Sequence, residues 1–117
     1  PEQDPLWIYE RNMRSMVAIA LAHGAKPVLT TQPYNTHARA ARADVGAHFK
    51  QCNQFVRELA EEYGDQVLLV DLDEQMTGTH ADHFIDLGHL DHEGRQIKAA
   101  KIGAVILRDL GTSVSTP

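Results

Sequence analysis

Gln66, Val67, Leu68, Leu69, Val70 and Asp71 place four consecutive apolar side chains between two polar ones, and this run decides the fold. A strand with one wet face alternates apolar with polar residues. An unbroken Val/Leu run is instead the pattern of a strand covered on both faces in a parallel sheet. Parallel strands need a long crossover, usually a helix. The preceding residues supply one: Phe49, Cys52, Val56, Leu59, Ala60 and Tyr63 recur on one helical face, with Lys50, Arg57, Glu58, Glu61 and Glu62 largely on the other. Gly64 then closes the helix.

Further upstream, Lys26 to Thr31 contains Val28 and Leu29 and is closed by Pro33, which predicts a second short buried strand with its carboxyl end near Thr31 and Gln32. Before it, Tyr9, Met13, Met16, Val17, Ala20 and Leu21 predict an amphipathic helix from Leu6 to His23, with Gly24 at its C′ position. Tyr34 to about Asp44 reads as a long loop that turns helical towards its end. Downstream, a polar stretch through Gly78 and His80 leads to a last helix from Asp91, a capping residue, to about Leu110, followed by Gly111.

The order helix, strand, helix, strand, helix implies right-handed crossovers in an α/β fold, a three-layer α/β/α sandwich around a parallel sheet. Two strands do not cover three amphipathic helices, so the sandwich is expected to be incomplete in this chain and to leave apolar surface exposed. An amino-terminal segment or a second copy in a homodimer is the expected source of the remaining sheet.

The 117 residues fit one domain, residues 1–117, and 43% hydrophobic with 23% charged residues is ordinary for a globular chain. A net charge of -5 argues against nucleic-acid partners, which need clustered Lys and Arg. The single cysteine, Cys52, excludes an intramolecular disulfide framework and a thiolate-rich zinc site, and is expected to pack in the core. No run approaches the ~20 apolar residues of a membrane span. A start at Pro1, Glu2 and Gln3 without an initiator Met is expected of a cut or truncated polypeptide. Cellular location is left open.

The chemistry is concentrated in residues 84–94, where Asp86 precedes His89 by three residues at the entry to the last helix. A carboxylate on Nδ1 holds the imidazole in one tautomer and leaves Nε2 to take a proton from a hydroxyl and return it to a leaving group. The position beyond the strands suits a ligand site at the carboxyl ends of a parallel sheet. Asx capping of a turn by Asp86, with His89 solvated, is the structural alternative. Thr31, Gln32 and Tyr34 are pocket-lining candidates or parts of a turn at Pro33.

The context resembles the SGNH hydrolases, the GDSL esterase and lipase family, whose last motif is Asp-x-x-His before the final helix. Tyr9, Asn12 and Met13, then Gly24 before Thr31, Gln32 and Pro33, then Val70, Asp71 and Leu72, and finally Phe84, Asp86, His89, Leu90 and Gly94 follow the family's order over nearly the whole chain. The resemblance implies the flavodoxin-like SGNH fold, of which the chain is the carboxyl-terminal portion. It implies a serine esterase or acetylesterase acting on a small-molecule ester through an acyl-enzyme, with no cofactor or metal. His89 would be the general base and then acid, and Asp86 its orienting group. The family's Gly-Asp-Ser nucleophile motif and its oxyanion-hole glycine and asparagine have no counterpart here: Gly64 and Asp65 precede Gln66, and the serines are Ser15 in a helix and Ser113 and Ser115 in the tail. By this resemblance the chain is inactive alone.

Two other readings use the same residues. His80, Asp82, His83, Asp86, His89, Asp91 and His92 are dense enough for a metal site, although no His-x-x-x-His pair falls within one helix. A catalytically silent α/β interaction module, pairing through an open sheet edge, is the third reading. His83 and His92 read as surface residues, and His23, His37 and His48 carry no assigned role.

Overall fold

The computed structural model describes residues 5–36, 43–86 and 88–113. The expectations for residues 1–3, His37, Leu87, Ser115 and the loop over 37–42 lie outside the described residues. Elements follow in the order α1 (Pro5–Ala22), β1 (Val28–Thr30), α2 (Ala43–Tyr63), β2 (Leu68–Val70), α3 (Leu72–Met76) and α4 (His92–Ser113), with 3₁₀ turns at Gly64–Gln66 and Ala81–His83. β1 and β2 pair in parallel, with Val28 opposite Leu68, Leu29 opposite Leu69 and Thr30 opposite Val70. The chain is mixed α/β and mostly helical. Among the described residues the sheet has two strands, not the larger sheet of a full sandwich.

Strand alternation sends neighbouring side chains to opposite faces. Leu29 and Leu69 accordingly pack with Val17 of α1 and Phe55, Val56 and Leu59 of α2. Val28 and Val70 pack instead with Leu72 and Met76 of α3, Leu90, and Ile97, Ile102 and Val105 of α4. Both faces of the apolar run are therefore covered. Leu59, Leu72 and Met76 are fully buried, and such burial contributes roughly 1.5–3 kcal/mol per side chain.

α1 ends in a Schellman motif: Ala25 N–H donates to Ala20 O (2.9 Å), Gly24 N–H donates to Leu21 O (3.0 Å), and Gly24 has φ 77°. Several sequence expectations change in the structure. Both strands are shorter than expected; β2 is trimmed because the 3₁₀ turn takes up Gln66 and because Asp71 leaves it to cap α3, accepting from Glu74 N–H (3.3 Å). α3 itself was expected to be polar connection; its signal was the i, i+4 pair Leu72 and Met76 after a capping aspartate. Gly111 lies within α4, with no positive φ to end the helix. Met16 is exposed despite lying on the apolar stripe of α1, and Cys52 is half-buried rather than in the core. No helix among the described residues is long and apolar enough to cross a membrane.

A polar clamp joins the carboxyl ends of the two strands to α2. Arg57 Nε donates to Asp71 Oδ2 (2.7 Å), and its Nη2 donates to Asp71 Oδ1 (3.0 Å) and Asp73 Oδ2 (2.8 Å). Thr31 Oγ1 donates to Asp71 Oδ1 (2.7 Å) and accepts from Asp73 N–H (2.8 Å). Burial works against ionisation of Asp71, but the bonds from Arg57, Thr31 and Glu74 together outweigh it and hold the carboxyl below its ordinary range. The bidentate geometry makes this more than a loose surface pair. One step along the chain, buried Asn53 of α2 accepts from Gln32 N–H (2.7 Å) and donates to Gln32 O (2.9 Å).

Gly94 is buried where α4 starts. A Cβ there would lie 2.9 Å from His83 O and 3.0 Å from both His83 Cβ and Leu90 Cβ. Gly94→Ala should therefore destabilise the fold by about 1–3 kcal/mol in chemical denaturation, through overpacking. Gly103→Ala, at a helical position open to solvent or free space, should raise stability by about 0.5–1 kcal/mol through helix propensity.

Arg57→Met keeps the aliphatic stem and removes the donors, so it should cost about 1.5–3 kcal/mol at neutral pH. Because the folded pKa of Asp71 is depressed, its contribution is present above the unfolded carboxyl value of about 3.9 and is lost as pH falls through the lower folded value. The stability difference between the parent and Arg57→Met should accordingly be largest near neutral pH and narrow as pH falls through the carboxyl range, as followed by chemical denaturation at a series of pH values.

Candidate active site

Residues 84–86 and 88–91 lie between the Ala81–His83 turn and α4 and are tied to one another. Phe84 and Leu90 make an isolated antiparallel bridge, Ile85 N–H donates to His89 O (2.7 Å), and Asp91 N–H donates to His83 O (2.7 Å). Asp91 caps α4 as expected, its Oδ1 accepting from Gly94 N–H at 2.7 Å. Leu90 is buried and anchors the loop in the core below α4.

Within this loop Asp86 and His89 meet. Asp86 Oδ1 accepts from Gly88 N–H (3.0 Å) and His89 N–H (2.8 Å), so the Asx-type turn is present. The same carboxylate also takes the ring: His89 Nδ1 stands 2.9 Å from Oδ2 and 3.0 Å from Oδ1. The turn and the ring contact are therefore not alternatives, since one carboxylate makes both. The His89 N–H, then the Gly88 N–H, then the His89 ring hold the Asp86 carboxyl below its ordinary range. An ionised carboxylate only accepts, so the proton between the two groups sits on Nδ1 and Nε2 of the neutral ring is left as an acceptor.

The pair borders an open groove of about 680 Å³, lined also by Gln32, Phe49, Ile85, Arg95 and Lys98. Gln32 Nε2 donates to Pro33 O (2.9 Å) and Gly88 O (3.3 Å), linking the end of β1 to the His89 loop. Phe49 stacks on buried Tyr34 at 5.1 Å between ring centres. Of the residues expected at the carboxyl end of β1, Gln32 reaches the groove. Thr31 is buried in the Arg57 clamp, and Tyr34 lies in the core with its N–H donating to Thr77 Oγ1 (3.1 Å).

No hydroxyl or thiol side chain lines this groove among the described residues. Ser15 is exposed on α1, away from it. The seven His and Asp residues of the metal reading do not converge: among the described residues no three such side chains form a ligand set. His83 is half-buried, not a surface residue, and its Nδ1 faces Asp91 (3.5 Å) and Glu93 (3.7 Å). Arg95, Lys98 and Phe49 were not singled out from sequence as site residues. Lys98 lies three residues after Arg95, a helical spacing that would have placed them on one face.

The tautomer is directly measurable. In the parent, the ring-nitrogen shifts of His89 in a long-range ¹H–¹⁵N spectrum should report protonated Nδ1 in the neutral ring; Asp86→Asn should lose this preference while retaining a side-chain oxygen for the turn. Equal tautomer populations in both proteins would remove the orienting role of Asp86. Comparison with protein-family models, curated proteins and solved structures gives no match to this chain.

Proposed function

We propose that this chain carries the acid–base half of a serine-hydrolase triad of the SGNH type, with His89 the general base and then acid and Asp86 its orienting group. The observation that carries the proposal is the two-oxygen approach of Asp86 to His89 Nδ1, which leaves Nε2 at the edge of a groove. In the reaction a serine Oγ attacks an ester carbonyl while its proton passes to Nε2. The ester C–O bond then breaks, the leaving alcohol takes that proton, and water hydrolyses the acyl-serine with the same ring acting again as base. The small-molecule substrate is an ester or acetyl ester.

Among the described residues the groove has no nucleophile, and the His89 side chain is 82% exposed, whereas triads work in sites that exclude water. The proposal therefore includes a second wall, contributed by polypeptide beyond the described residues, that brings the serine and the oxyanion donors. The sandwich of this reading also needs more strands beside β1. Its support is apolar: Met13, Met16 and Val17 of α1 and Pro27, Val28 and Leu29 line a groove of about 280 Å³, and Met16, Ile19, Leu107 and Leu110 are exposed.

A serine-reactive fluorophosphonate with intact-mass detection tests the reading. This chain alone should gain no adduct, while the polypeptide that brings the serine should be labelled in its company. His89→Ala should then lower labelling and p-nitrophenyl acetate turnover by on the order of 10³-fold or more without loss of folding. Modification of Ser15 in the isolated chain, or turnover indifferent to His89→Ala, would overturn the proposal.

A further inference from the structure

The wall of the His89 groove formed by α4 carries two cations, Arg95 and Lys98, in the first two turns of the helix. Arg95 and Lys98 occupy the fourth and seventh positions of α4 (His92–Ser113), and both line the groove. Cations stabilise a helix near its carboxyl end and are disfavoured near its amino end by the aligned peptide dipoles. Here the last turn of α4 holds no basic residue, and these two stand towards the opposite end.

Nor are they neutralised. Arg14 pairs with Glu62, Lys26 with Asp109, and Arg57 with Asp71 and Asp73. Arg95 and Lys98 have no acidic partner among the described residues. Arg95 uses Nη1 to donate to Leu90 O (3.1 Å), which fixes the guanidinium beside the loop and leaves its other N–H groups for a ligand. The lining carboxylate, Asp86, is already committed to Gly88 N–H, His89 N–H and the His89 ring. Arg11, Lys50, Lys101 and Arg108 equally lack an acidic partner among the described residues, so what distinguishes Arg95 and Lys98 is that both line the groove beside the candidate base.

We propose that Arg95 and Lys98 are an anion-recognition wall, so that the substrate of the His89 site carries a carboxylate or phosphate group close to its scissile ester. The inference deepens the hydrolase reading and rests on it for the word substrate, while anion binding itself is independent of turnover. The fork of Arg95 suits two oxygens of one anion, and Lys98 adds a point charge. Phe49 and Ile85, on the same groove, offer apolar contact to the rest of the molecule. Neutral esters of the same size lack the group that this wall selects.

The test uses ¹⁵N-labelled chain at constant ionic strength, titrated separately with inorganic phosphate, butyrate and the neutral isostere butyramide. The anions are expected to move the Gly88, His89, Arg95 and Lys98 amides to saturation, and butyramide to leave them unmoved. Arg95→Gln with Lys98→Gln should weaken anion binding at least tenfold, Arg95→Lys should restore part of it to the Lys98 parent, and Lys101→Gln, outside the groove lining, should change it little. Tighter phosphate than butyrate would identify a phosphoryl-bearing substrate, and the reverse order a carboxylate-bearing one. Both orders support the proposal. Absent saturation, equal binding of butyramide, or an equal loss in Lys101→Gln would overturn it. Anion binding that persists while His89→Ala leaves turnover unchanged in the company of the serine-bearing polypeptide would sink the hydrolase reading alone.

Discussion

The bidentate bond from Arg57 to Asp71 is the constraint on which the arrangement depends. A two-stranded parallel pair is short of hydrogen bonds and has little side-chain surface of its own. Arg57 joins α2 to the residue leaving β2, and Thr31 joins that same carboxylate to the residue leaving β1. The ends of both strands are thereby held against one helix. Asn53, one helical turn before Arg57, holds the backbone of Gln32 from both sides, and the Gln32 amide reaches Gly88 O beside His89. A continuous polar path thus runs from the α2–sheet packing to the loop that carries the candidate base.

That path also explains how a mostly exposed histidine has a defined geometry. The loop is short, is closed on itself by the Phe84 and Leu90 bridge, and is pinned below by buried Leu90. Gly94 lets α4 approach His83 closely enough for this closure. Asp86 then organises the interior of the loop through two amides and one ring nitrogen. In the proposed hydrolase, what is missing is therefore the opposite side of the cleft, with its nucleophile and its exclusion of water, rather than the orientation of the base.

The fold was legible where one physical signal dominated. The unbroken run Val67 to Val70 required two covered faces, and Leu69 and Val70 do enter different hydrophobic clusters. The periodicities of α1 and α2, and the capping role of Asp91, were legible because helical spacing and caps are local. α3 was missed because five residues are too few to show a period. Met16 lay on the correct stripe, yet it is exposed, because burial depends on which elements pack against the helix and no local pattern reports that. At the site, Asp86 and His89 were legible because their partnership spans three residues. Gln32 was among three pocket-lining candidates at the end of β1, but which of them reaches His89, and that Phe49 joins it, depends on how β1, α2 and the loop assemble.

By itself, the sequence determined the three long helices, the doubly covered strand run and the acid–histidine pair, because each follows from spacing along a chain whose local geometry is limited by sterics and hydrogen bonding. Only the tertiary structure decided which charges are neutralised and which stand free. Arg57 and Lys98 are both cations on amphipathic helices; one closes on two aspartates brought from another part of the chain, and the other faces a groove. The difference lies in contacts between residues distant in sequence, and those exist only once the hydrophobic clusters have set the helices against the sheet.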